Sequence, residues 1–181
     1  MKYIVEPIRD KEQIYQVENY LGSKSNRNRV LFILGINSGL RVSDILSLNV
    51  GDVRCKTHIE ICERKTGKLK RFPINKRLEN ELKKYIRNKP DSQPLFSSRK
   101  HIRLDRSQVY RILNETCEAV GVDANIGTHS MRKTFGYHHY KQFRDVAMLQ
   151  KIFNHSSPDI TLRYIGIDQD EIDNSYFMFE I

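Results

Sequence analysis

The run Val30-Leu31-Phe32-Ile33-Leu34-Gly35-Ile36, set between Asn28 and Asn37, constrains the fold of this 181-residue chain more than any other stretch. A helix over Asn28–Asn37 is apolar at nearly every angle and leaves no face for water, so it belongs at the centre of a core. The run is far shorter than the ~20 apolar residues a membrane crossing needs, so no membrane partner is expected. A chain of 181 residues is long enough to surround such a helix and too short for two ordinary domains. One domain over 1–181 is therefore expected.

The elements around that helix follow from periodicity. Asp10–Leu21 places Ile14, Val17 and Leu21 three and four residues apart, as an amphipathic helix does. Gly39 ends the apolar helix, and Val42–Leu48 makes a short one after it. Between Val53 and Ile74 the period changes to two. His58-Ile59-Glu60-Ile61-Cys62 alternates, the turn Lys65-Thr66-Gly67-Lys68 follows, and Leu69-Lys70-Arg71-Phe72-Pro73-Ile74 returns. This predicts a β-hairpin within a three-stranded antiparallel sheet. Helices resume at Lys76–Asn88, where Asn75 is the N-cap and Leu78, Leu82, Tyr85 and Ile86 form the inner stripe. Pro90 and Pro94 interrupt the chain, then helices are predicted over Ser107–Val120, Thr128–Tyr140, Asp145–Phe153 and Asp159–Ile165. A tail, Asp168–Phe179, reads as a short helix ending in Tyr176-Phe177-Met178-Phe179. The expected class is α+β, mainly α-helical with a small three-stranded antiparallel sheet.

Charge narrows the partners. Lys and Arg number 31 against 22 Asp and Glu, a net charge of +9. The stretch 165–181 holds five acids and no Lys or Arg, so residues 1–164 carry 31 basic against 17 acidic residues, +14. A basic body suits a polyanion, and a well-solvated basic surface is the plainer alternative. Cys55, Cys62 and Cys117 make no Cys-x-x-Cys pair, and the amino terminus turns charged at once. A reduced, cytoplasmic protein without a disulfide frame, zinc knuckle or signal peptide is expected.

Several chemistries lack their signatures. No Walker loop, GxGxxG, HExxH or GxSxG occurs, and no close pair of acids suits a two-metal nuclease. No metal site and no cofactor are expected. Basic groups near helix starts remain. Arg41 opens a short helix with Asp44 one turn on, where a carboxylate can orient a guanidinium; a surface ion pair is the plainer reading. His129 and Arg132 lie one helical turn apart, and together can bind phosphate and supply a titratable proton. His155 precedes Tyr164 by nine residues in Asn154-His155-Ser156-Ser157-Pro158-Asp159-Ile160-Thr161-Leu162-Arg163-Tyr164. A phenol becomes a nucleophile only where cations and a base favour its ionised form; otherwise such a tyrosine is a core aromatic.

In their order, the segments GLRVSDIL, ERKTGKLKRFPI, THSMRKTF and NHSSPDITLRY resemble those of the tyrosine recombinases of the phage integrase type. The resemblance spans about Asp10 to Tyr164. It implies a catalytic-domain fold in which Arg41 and Arg132 clamp the scissile phosphate and Lys65 protonates the departing 5′ oxygen. His129 and His155 would assist proton transfer and bind phosphate oxygen, and Tyr164 would form a 3′-phosphotyrosyl link. Lys68 is the neighbouring alternative to Lys65. Asp44 stands where the family often has Glu, with a shorter reach toward Arg41. Tyr137, Tyr140 and Tyr176 lack the preceding His-Ser-Ser-Pro, and His138 and His139 read as packing or surface groups.

The resemblance further implies double-stranded DNA as partner, a homo-oligomer on DNA with a tetrameric synapse, and strand exchange without metal or ATP. Relatives carry an amino-terminal core-binding domain; here the catalytic domain is expected to begin almost at once, so DNA binding should be weak and salt-sensitive. The tail 168–181 is expected to dock on a neighbouring protomer or fold back on its own core. A non-catalytic DNA-binding regulator of the same fold and a type IB topoisomerase-like nicking and resealing enzyme are the competing readings.

Overall fold

The computed structural model describes residues 5–62, 67, 69–98, 100, 102–167 and 175–180. Helix α1 (Lys11–Lys24) starts at Asp10, whose carboxylate accepts from the Glu12 amide at 2.8 Å. It runs a turn beyond the predicted Leu21 because Ser25 both ends it and caps α2 (Asn26–Ser38). That single extended residue reverses the chain, so α2 packs directly on α1. Val30 through Leu34 are all buried, as an all-apolar helix requires. The buried Glu18 of α1 pairs with Arg29 of α2 at 2.8 Å and with Arg77, and Arg29 also pairs with Glu81 at 2.7 Å. These ion pairs tie α1 and α2 to α4 (Lys76–Ile86).

Gly39 closes α2 at φ +62°, the left-handed region. A Cβ there would lie 2.5 Å from the ring of Phe135, so both backbone and space exclude a side chain. Helix α3 (Val42–Ser47) follows, then a 3-10 turn (Val50–Asp52) and the hairpin. Strands β1 (His58–Cys62) and β2 (Leu69–Pro73) pair antiparallel from His58↔Pro73 to Cys62↔Leu69. Ile59, Ile61 and Phe72 face the core while their neighbours face water. The predicted third strand is not formed: among the described residues the sheet has two strands. Isolated bridges, Asn49↔Pro94 and Ser97↔Arg103, appear instead, since Pro94 offers no amide to a continuous ladder. Lys65 and Lys68, between β1 and β2 in the sequence, lie outside the described residues.

Asn75 caps α4 as predicted, accepting from the Leu78 amide at 2.9 Å. Helices α5 (Arg106–Ala119), α6 (Ser130–Phe143), α7 (Val146–Phe153) and α8 (Pro158–Ile165) complete the order. Helix α6 begins later than predicted, with His129 at its N-cap, and it packs on α2. Two cores result. The larger surrounds α2; a smaller one holds Leu149, Phe153, Ile165 and Ile167 against the outer face of α6. Gly136 permits this second packing, because a Cβ there would lie 2.6 Å from Ile165 and 2.7 Å from Phe153. The three cysteines are free thiols, Cys55 and Cys62 exposed and Cys117 buried. Much of the tail, 168–174, lies outside the described residues, while Tyr176, Phe177, Met178 and Phe179 are exposed.

Candidate functional site

The candidate residues converge where α6 meets the turn between α7 and α8. Arg132, in the first turn of α6, is 3% exposed. Its guanidinium donates to the Gly39 carbonyl at 2.5 Å and to the Phe153 carbonyl at 2.9 Å, and lies 4.3 Å from the centroid of the Phe153 ring. It therefore joins the end of α2 to the end of α7, linking both cores through charge-assisted bonds. The Arg132 charge also favours the ionised form of Tyr164.

Tyr164 reaches this point because α8 is aimed by its start. Ser157 accepts from the Ile160 amide at 3.3 Å, and Pro158 occupies the first helical position, where its missing N–H costs nothing. The phenol oxygen lies 3.3 Å from His129 Nδ1, and the Tyr164 ring stands edge-on to that of His155 with centroids 5.1 Å apart. Burial pushes the Tyr164 pKa up, while Arg132 and then Arg41 oppose the rise.

His155 is held from three sides. Asn154 ends α7 in the left-handed region, the His155 amide donates to the Gln150 carbonyl at 3.1 Å, and its Nδ1 meets Thr161 Oγ1 at 3.0 Å. The Thr161 hydroxyl donates to the Ser157 carbonyl at 3.2 Å, so His155 Nδ1 supplies the proton of their shared bond and Nε2 keeps its lone pair. Burial first, then Arg132, Arg41 and Lys70, push the His155 pKa down to about 4. Partial burial and the cations Arg106, Arg132, Lys133 and Arg41 lower that of His129. Both imidazoles are thus neutral at pH 7 inside a ring of positive charge, which suits an incoming anion.

Arg41 stands at the N-cap of α3, its Nη1 4.0 Å from Oδ2 of the buried Asp44. The structure brings together Arg41, Asp44, His129, Arg132, His155 and Tyr164; Lys65 lies outside the described residues. Sequence reasoning missed Lys70, Lys133 and Arg106, whose charges reach the site from β2, α6 and α5. Only Lys133 had a usable signal, adjacent to Arg132 within the motif. His138, by contrast, bonds the Ile8 carbonyl at 3.0 Å, a packing role as expected.

The sequence model of the phage integrase family matches residues 9–171. A probable integrase/recombinase, YoeC, of Bacillus subtilis is 48% identical over 178 residues, 98% of each chain. Tyrosine recombinase XerC of Thermodesulfovibrio yellowstonii is 30% identical over 153 residues, covering 78% of this chain and 50% of that protein, so the chain spans about half its length. A crystal structure of a lambda integrase dimer bound to a COC′ core site superposes with a TM-score of 0.73 at 16% identity, over 91% of this chain and 49% of that one. Its likeness shows a shared fold over about half of that chain. With the family model spanning most of the sequence and a full-length relative nearly half identical, the chain belongs to the phage integrase family.

Proposed function

We propose that this chain is a site-specific DNA recombinase that breaks and rejoins strands through a phosphotyrosine on Tyr164. The observation that carries the reading is the phenol oxygen of Tyr164 lying 3.3 Å from His129 Nδ1, with the Arg132 charge favouring its ionised form. A scissile phosphate entering between Arg41 and Arg132 would have its nonbridging oxygens stabilised by two guanidinium forks. Tyr164 Oη attacks phosphorus in line and passes its proton to His129, while the bond to the 5′ oxygen breaks. Lys65, between β1 and β2 in the sequence, protonates that oxygen. His155 Nε2, taking a proton from solvent as the anionic phosphate enters, donates to a nonbridging oxygen. The 3′-phosphotyrosyl link conserves the phosphodiester, so attack by another strand's 5′ hydroxyl reverses every step without ATP.

The basic body cradles double-stranded DNA, and the expected assembly is a homo-oligomer on DNA, tetrameric at synapsis. The domain reading is a catalytic domain over 1–181 with the tail 168–181 as a protomer-docking segment. The test is trapping on a nicked suicide DNA that prevents religation. A covalent protein–DNA species formed in EDTA and lost in Tyr164→Phe is expected. DNA binding without any adduct would favour a non-catalytic binding module.

A further inference from the structure

Lys133 follows Arg132 on α6 and is 7% exposed. Its Nζ lies over the ring of Tyr164, 5.0 Å from the centroid. Among the described residues its ammonium makes no hydrogen bond or ion pair. Taking most of a lysine side chain out of water carries a cost, and a methionine would fill the same space without it. The location of the charge suggests what offsets the cost. The face of a phenol ring carries negative potential, and that of a phenolate carries far more. A cation on that face therefore favours the nucleophile more as its charge develops than at rest.

We propose that Lys133 is a positioning residue for Tyr164: its ammonium, seated on the ring face, holds the phenol toward Arg132 and His129 and favours its ionised form during attack. This rests on the recombinase reading for its role in turnover, but the effect on Tyr164 exists without DNA. Tyr164 and its neighbours are faced by His129, Arg132 and Lys133 from α6, Arg41 from the start of α3, His155 from the α7–α8 turn, Lys70 from β2 and Arg106 from α5. Lys133 in turn is faced by Glu6 and Arg9 of the segment before α1. Glu6 favours its charged state and Arg9 opposes it, while burial lowers its pKa. The Glu6 carboxylate is held by the Asn125 amide at 3.2 Å, which keeps it near α6.

The test uses the full chain carrying Lys133→Met, Lys133→Gln or Lys133→Arg. One readout is an ultraviolet titration of tyrosine ionisation without DNA, each variant read against the same variant with Tyr164→Phe. The other is the single-turnover rate of adduct formation at saturating suicide DNA. In Met and Gln variants the Tyr164 titration should move up by about one pH unit and the adduct rate fall on the order of tenfold. DNA affinity should change little, and Arg should restore both readouts. If the Met variant does not fold, the Gln variant decides. An unshifted titration in a folded neutral variant, or equal loss in the Arg variant, overturns the proposal. If wild type forms no adduct, the recombinase reading fails while the titration still tests Lys133.

Discussion

Loss of Arg132 should destabilise the fold strongly, apart from any role in chemistry. Its guanidinium holds two main-chain carbonyls, Gly39 at 2.5 Å and Phe153 at 2.9 Å, and both bonds are buried. Hydrogen bonds to a charged group contribute about 1.5–3 kcal/mol each, and the cation over Phe153 adds roughly 0.5–2 kcal/mol. Water entering the space left by alanine would recover part of this. Arg132→Ala should therefore cost about 4 kcal/mol. Arg132→Lys keeps the charge but presents a single ammonium in place of a fork, so it should lose one carbonyl and about 2 kcal/mol. Equilibrium urea unfolding followed by circular dichroism measures both. With a slope of about 2 kcal/mol/M, the alanine midpoint falls by about 2 M and the lysine midpoint by about 1 M. Arg41→Ala, at a helix start with part of its side chain in water, is the control and should shift the midpoint much less. An Arg132→Ala midpoint within 0.5 M of wild type (about 1 kcal/mol) would refute the idea that this side chain joins the two cores.

Three further outcomes are expected. Gly39→Ala combines a φ of +62° with a Cβ placed 2.5 Å from Phe135, so it should destabilise by about 2 kcal/mol or more and also slow adduct formation by moving the carbonyl that holds Arg132; thermal melting and the suicide-substrate assay read the two effects. Asp44→Asn should slow adduct formation about tenfold with little change in DNA affinity in a gel-shift assay, because Asp44 orients Arg41 across 4.0 Å without reaching the DNA itself. The His155 pKa of about 4 lies below the unfolded value near 6.5, so between these pH values the unfolded chain binds more protons and stability falls as pH falls. Urea midpoints from pH 7 to 4 should show a loss that His155→Gln reduces by about 1 kcal/mol once solvent screening of this partly exposed ring is allowed for, with lowered His129, His138 and His139 adding in the same sense.

Much of the architecture was legible where the governing interactions are local. The α4 stripe and its Asn75 cap depend on residues within a turn of each other, and so does the Ser157-Pro158 start of α8. Boundaries failed where one residue served two elements: Ser25 ends α1 and begins α2, which pattern alone read as a longer gap. The third strand failed because pairing depends on a distant partner, and Pro94 limits what the 94–97 segment can offer.

The sequence by itself determined the kinds of chemical group and their order: two arginines, two histidines, a tyrosine and the elements that carry them. Those follow from residue identity and short-range periodicity. Only the tertiary structure decided what each group meets. The bond from Arg132 to Gly39 crosses 93 residues, and that from His129 to Tyr164 crosses 35. Neither spacing has a local signature, because the close approach of α6 to α2 and of α8 to α6 depends on packing around Gly39 and Gly136. The same packing buries Lys133 against Tyr164, turning a motif neighbour into a charge on the ring face. Burial among fixed cations also makes both histidines neutral, a property of the assembled site and of no single residue in it.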